Sequence, residues 1–197
     1  MFLLVFFGLS IVTVALTGGH LSALGSVRFA HAWAAIVALA LQILIISIVP
    51  FADPTLLAAG HLLSYVFIGI FVFANRSQHG LWLLGAGWGC NLLAIAANGG
   101  IMPTASAVVA SSARRVAGNE FINSRTLAHP KLQFLGDVFA IPRSWPLHNV
   151  FSVGDVLIAI GAFVLLHSIC GSRLARLWGS RPHGDTASPE VRLQPQG

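Results

Sequence analysis

DPTLLAAGHLLSYVFIGIFVFANR, residues 53–76, carries a charge near each end, at Asp53 and Arg76, and none between. An α-helix needs about 20 mainly apolar residues to cross the hydrocarbon core of a bilayer, and Thr55 to Ala74 has that length. Outward from it the pattern repeats. Arg28, Asp53 and Arg76 are the only charged residues between Met1 and Asn98, and each falls in a break between apolar runs. A soluble domain averages about 25% charged residues; this chain has 9%, with 56% hydrophobic residues and a mean hydropathy of +0.81. Such a chain is expected to use lipid as its solvent.

Five stretches qualify as spans by composition and length: 2–18, 29–49, 55–74, 81–97 and 153–170. They predict an all-α fold, a polytopic transmembrane helical bundle of about five spans. The membrane domain covers 1–178. The tail 179–197, rich in Pro, Gly, Ser and Gln, buries too little apolar surface to offset ordering entropy and is expected to be disordered. The first span carries no Lys or Arg ahead of it, and Thr17-Gly18-Gly19-His20 is a poor cleavage site, so it reads as a retained helix rather than a signal peptide.

The net charge of +5 is concentrated in loops and tail. Juxtamembrane arginines beside anionic lipid account for it, and a nucleic-acid partner is not indicated. Arg28, Arg76, Arg173, Arg176 and Arg181 share one side of a five-span threading. By the positive-inside rule the amino terminus then lies outside and the carboxy terminus in the cytoplasm. Cys90 and Cys170 sit inside apolar runs without metal-type spacing, and read as small hydrophobes.

The loop 98–151 is the one sizeable piece outside the spans and is expected on the outer face. It opens at Asn98-Gly99-Gly100-Ile101-Met102-Pro103, a helix stop. Thr104–Ala113 suits a helix lying on the protein. Leu132–Ile141, apolar apart from Asp137 and too short to span, suits a short interfacial or re-entrant helix, with Trp145 as a headgroup-level anchor.

Polar residues are scarce enough to stand out. Gly136-Asp137 and Gly154-Asp155 echo each other, each Asp opening an apolar run. Ser152-Val153-Gly154-Asp155 fits a capping box, which explains Asp155 structurally; a carboxylate at membrane depth also marks functional cavities. His61, Ser64 and Tyr65 share one helix face by their i, i+3, i+4 spacing, and Asn91 and Asn98 another. In the threading above these groups gather in the outer half. The candidate pocket is therefore His61, Ser64, Tyr65, Asn91, Asn98, Asp137, Arg143 and Asp155, with 98–151 as its lid. Against it stands the ordinary role of such residues, interhelical hydrogen bonding. His167, near the inner end of the last span, reads as interfacial. Gly85-x-x-x-Gly89, with Gly87 between, is a small-residue face for close helix approach, within the chain or in a dimer.

No nucleotide-binding, zinc-protease or serine-nucleophile motif occurs. No catalytic residue, metal ligand or cofactor is assigned. The order Asn98-Gly99-Gly100-Ile101-Met102-Pro103, Leu135-Gly136-Asp137 with Ile141-Pro142, and Phe151-Ser152-Val153-Gly154-Asp155-Val156-Leu157 resembles a bacterial membrane-protein family of unknown function, the DUF5317 type. The resemblance covers nearly the whole chain. It implies a multi-pass protein of the bacterial cytoplasmic (inner) membrane and supplies no catalytic residues. Three functions follow from different classes. The first is a non-catalytic binding or accessory protein using the loop and pocket, with membrane lipids and a membrane-protein partner or a homodimer as its contacts. The second is a small transporter or permease component. The third is a membrane enzyme acting on a lipid or quinone headgroup.

Overall fold

The computed structural model describes residues 2–45, 53–111, 124–142, 144–145 and 149–179. In chain order the elements are α1 (Phe2–Leu16), α2 (Ala32–Ile43), α3 (Pro54–Ala74), α4 (Leu81–Ala97), β1 (Met102–Pro103), α5 (Ser106–Ser111), β2 (Ser124–Arg125), β3 (Asp137–Ile141), β4 (Asn149–Ser152) and α6 (Val153–Ile169). The chain is mostly helical. Arg143, the end of the 29–49 stretch and the tail beyond Gly179, expected to be disordered, lie outside the described residues.

Among the described residues α3 alone is long and apolar enough to cross a membrane, with a mean hydropathy of 2.1 over its most apolar window. The other long helices, α1, α2, α4 and α6, have 15, 12, 17 and 17 residues, or about 18 to 26 Å at 1.5 Å per residue. Asp53 begins α3 as its N-cap: the carboxylate accepts from the amides of Thr55 (2.9 Å) and Leu56 (3.0 Å), with Pro54 in the first turn. One of the three charges in the first half thus serves a helix end, where an anion also complements the dipole. Asn75 ends the same helix. Its side chain donates to the Phe71 and Ala30 carbonyls and accepts from the Ala30 amide, each at 2.8 Å, tying the connection before α2 to the end of α3.

The helices stand in the spatial order α2, α3, α4, α6, α1. α4 and α6 form the central pair, and glycines set their spacing. Gly80 and Gly87 of the α4 side meet Gly161 and Gly154 of α6, backbone against backbone. The pairing is antiparallel and repeats every seven residues, two helical turns. The small face expected from Gly85 to Gly89 divides differently. Gly85 faces Val72 of α3, Gly87 faces α6, and Gly89 has no neighbour within 4 Å of a Cβ placed there. Successive residues on a helix point about 100° apart, so glycines two positions apart serve different partners. Phe6 packs on Phe163, Thr13 meets His167 and Gly19 reaches Cys170, so α1 runs parallel to α6.

The segment 98–151 departs from expectation. Residues 132–141 form no re-entrant or interfacial helix. A short turn at Gln133–Leu135 leads into β3, which pairs antiparallel with β4 in a hairpin. Val138, Phe139 and Ile141 are strand formers, and Phe139 stacks on Phe151 across the hairpin, centroids 5.3 Å apart. A ten-residue apolar window does not reveal its period, and the β4 partner that satisfies its backbone lies further along the chain. β1 pairs parallel with β2, and Thr104 bridges to Asp137. Six residues of the expected helix after Thr104 form α5. Together these pieces make a small β-containing cap over one end of the helices.

The surface is inverted relative to a soluble protein. Leu4, Leu9, Ile36, Leu39, Leu63, Phe73 and Leu93 are exposed, while Ser10, His61, Ser64, Asn91, Asp137, Ser152 and His167 are buried.

Candidate functional site

The β3–β4 register places Asp137 opposite Ser152, the residue that caps α6. This brings the two Gly-Asp units, distant in sequence, to one place. At α6 the capping box is complete: the Asp155 amide donates to Ser152 Oγ and the Ser152 amide to Asp155 Oδ2, both at 3.0 Å. Asn91 of α4 joins it. Its Nδ2 donates to Asp155 Oδ1 (3.1 Å) and its Oδ1 accepts from Ser152 Oγ (2.8 Å). A side chain on Gly154 would collide with that amide, so the glycine is what admits Asn91 to the helix end. Asp137 is buried, and its Oδ2 accepts from Thr104 Oγ1 at 3.3 Å.

These groups wall a cavity of about 200 Å³. Tyr65, Asn91, Ile95 and Asp155 line it from the helices, and Met102, Ser124, Asp137 and Val150 from the cap. Two carboxylates, a phenol, a carboxamide and a hydroxyl face one small space, with no basic side chain among its described lining residues. Such a set offers hydrogen-bond acceptors to a cation or a neutral donor.

Four of the eight candidate residues, Tyr65, Asn91, Asp137 and Asp155, therefore share the cavity. His61, Ser64 and Asn98 are not among its described lining residues. His61 is buried and turned toward α2, where its Nδ1 lies 3.1 Å from Gln42 Oε1. The same Gln42 donates through Nε2 to Ser64 Oγ (2.6 Å), which donates to the His61 carbonyl (2.6 Å). Because Gln42 Oε1 only accepts, His61 Nδ1 carries the proton in this network. The His61 ring meets the Tyr65 ring edge-on, centroids 5.3 Å apart. Asn98 clips the cap: its Nδ2 donates to the Ala94 and Lys131 carbonyls (both 2.7 Å) and its Oδ1 accepts from the Lys131 amide (2.8 Å). Arg143 lies outside the described residues.

Asn98→Ala removes both bonds to Lys131, each worth about 1 kcal/mol. Trypsin is expected to cut after Lys131 several-fold faster in this variant, with the helices unaffected. Unchanged cleavage kinetics would show that the clip does not hold the cap.

Thr104 reaches this neighbourhood only through its bridge to Asp137, whereas Ser152, also not among the eight candidates, is held beside Asp155 by the capping box. His167 is no surface residue. It is fully buried, with Nε2 at 3.1 Å from Thr13 Oγ1 and Nδ1 at 2.6 Å from Ser172 Oγ. Among the described residues no three His, Cys, Asp or Glu side chains converge on a metal-sized site, and both cysteines are free thiols.

The profile of a family of unknown function, DUF5317, matches residues 26–167. No curated protein matches the chain, and no solved structure does. The chain belongs to the DUF5317 family, whose profile takes in α2, α3, α4, the cap and nearly all of α6.

Proposed function

We propose that this member of the DUF5317 family is a five-span membrane protein that binds a small cation-bearing ligand, without chemistry, in the cavity beneath its outer cap. The observation that carries the reading is the joint presence of Asp137, Asp155 and Tyr65 around one small cavity. Ionisable residues at membrane depth are costly and concentrate at functional sites. The inverted surface supports the membrane setting. Only 17% of the apolar α3 window is buried, unlike the core helix of a soluble protein. Helices that alternate in direction, with α1 parallel to α6, suit five crossings. The connection carrying Arg28 is tied to Asn75 beside Arg76, and the Arg173 amide donates to the Thr17 carbonyl at 3.0 Å. This gathers basic residues at the end away from the cap, which by the positive-inside rule is cytoplasmic.

A permease component is the second reading, since carboxylates at depth also mark cation paths. An enzyme acting on a lipid or quinone headgroup has less support, because His61 turns toward Gln42 rather than into the space lined by Asp155.

Two measurements test the proposal. In a variant with Cys90 and Cys170 replaced by Ala, a membrane-impermeant maleimide is expected to label S144C in intact cells and S77C only after permeabilisation. The reverse pattern would overturn the orientation. In nanodiscs, calorimetry with methylammonium and tetramethylammonium is expected to show saturable binding, weakened at least about tenfold, or roughly 1.4 kcal/mol, in D137N. Asp137 is the cleaner position because Asp155 also caps α6. Absence of saturable binding, or equal binding by D137N and the parent, would overturn the ligand assignment. Cation flux into vesicles would select the permease reading over binding alone.

A further inference from the structure

Charge is segregated along the helices. Asp53 caps α3, Asp155 sits in the first turn of α6 and Asp137 begins β3, so the described acidic residues lie toward the cap. The opposite end is built from three connections, 17–31, 75–80 and 170–179, which contain no Asp or Glu. They carry Arg28, Arg76, Arg173 and Arg176, all four exposed. Besides the Asn75–Ala30 and Arg173–Thr17 bonds, the His20 amide donates to the Cys170 carbonyl (2.9 Å) and the Trp178 indole to Ser168 Oγ (2.7 Å). The arginines therefore stand on connections tied to each other and to the helices.

The same end collects three of the five tryptophans. Trp33 and Trp82 are exposed at the second positions of α2 and α4, and Trp178 closes the turn Arg173–Trp178 after α6. Indoles gathered at helix ends mark the headgroup level of a bilayer. Leu21, Leu24 and Leu177 are exposed among the same residues; apolar side chains interleaved with cations suit the boundary between headgroups and acyl chains. Arg76 shows the arrangement in one side chain. Its guanidinium lies 4.4 Å over the exposed Phe73 ring and donates to the Phe73 carbonyl at 3.0 Å, which uses one of five N–H donors.

We propose that this end is a docking surface for anionic phospholipid, on which Arg28, Arg76, Arg173 and Arg176 take phosphodiester oxygens while Trp33, Trp82 and Trp178 fix the depth. Guanidinium groups match phosphate oxygens in paired hydrogen bonds. The surrounding indoles and leucines select an anion that carries acyl chains over a soluble one. The inference rests on the membrane reading above but not on the ligand of the acidic cavity, which lies at the other end.

The test uses the full chain in phosphatidylcholine vesicles containing brominated phosphatidylglycerol or brominated phosphatidylcholine. Bromine on the acyl chains quenches tryptophans in contact with them, and W145F removes the exposed indole of the cap. Phosphatidylglycerol is expected to be preferred about 5-fold, the effect of one basic residue near an anionic surface, and added sodium chloride to reduce the preference. R28Q/R76Q/R173Q/R176Q is expected to abolish it with helix content unchanged, and the same four positions as Lys to retain most of it. Equal quenching by the two lipids, a preference surviving the glutamines, or its loss in the lysine variant would each overturn the proposal. Quenching by neither lipid would overturn the membrane setting as well. Methylammonium binding is expected to be unchanged in the glutamine variant, so failure of this surface and failure of the acidic cavity are read separately.

Discussion

Gly87→Leu is expected to leave little folded protein, and Gly87→Ala to be strongly destabilised. A Cβ at Gly87 would sit 2.8 Å from both the Ile158 amide nitrogen and Leu157 Cβ, and would also run into the Gly154 carbonyl. Two of these three obstacles are backbone of α6, which no rotamer change can move. α4 would have to withdraw from the helix with which it shares its largest interface. Overpacking of this kind costs about 1–3 kcal/mol and occasionally more; backbone contact places Gly87→Ala at the upper end and leucine beyond it. The withdrawal would also part Asn91 from Asp155 and Ser152, dismantling one wall of the acidic cavity. Gly89→Ala is the control. Nothing lies within 4 Å of a Cβ there, and alanine gains up to about 1 kcal/mol over glycine in a helix. Thermal unfolding in detergent, followed by circular dichroism, is expected to rank G89A at or above the parent and G87A well below it. Equal melting of G87A and the parent would refute the glycine-spaced interface.

His167→Ala is expected to cost roughly 3–5 kcal/mol, the range for removing a large buried side chain. The ring has no exposed surface and packs on Phe163 with centroids 4.1 Å apart. The Thr13 hydroxyl donates to the Ser10 carbonyl at 2.9 Å, so it accepts from His167 Nε2, and the Ser172 hydroxyl then donates to Nδ1. One imidazole thus joins α1, α6 and the turn after α6. His167→Phe retains most of the volume but leaves the Ser172 hydroxyl without its acceptor, while Thr13 keeps its bond to the Ser10 carbonyl, for about 1–3 kcal/mol. The melting order is expected to be parent, then H167F, then H167A. If H167A melted with the parent, the imidazole would not be holding α1 in place.

Legibility in the sequence differed between helices and cap for a physical reason. The bounds of α4 can be seen in the residues: Gly80 precedes Leu81, and Asn98-Gly99-Gly100 follows Ala97. The pattern Ser152-x-x-Asp155 announced its own capping box because that bond network spans only four residues. Residues 132–141 did not announce a strand, since their hydrogen-bonding partner at 149–152 is separated from them by a connection of unforeseeable path. Polar candidates were found by scarcity, and scarcity does not give direction. It picked out Tyr65, Asn91, Asp137 and Asp155, which share a space, together with His61, Ser64 and Asn98, which are occupied elsewhere.

What the sequence determined alone was local: helical stretches from apolar length, their ends from Asp53, Gly80 and Ser152, and an apolar exterior from the near-absence of charge. Each depends on propensity, capping or solvation, energies set within a few residues or by composition. Tertiary structure decided which groups meet. It chose Gly87 rather than Gly85 or Gly89 as the contact with α6, paired Asp137 with Ser152, and seated Asn91 on the start of α6. Those outcomes depend on helix rotation and strand register, where a shift of one residue turns a side chain to another face, and only the packed chain selects among them.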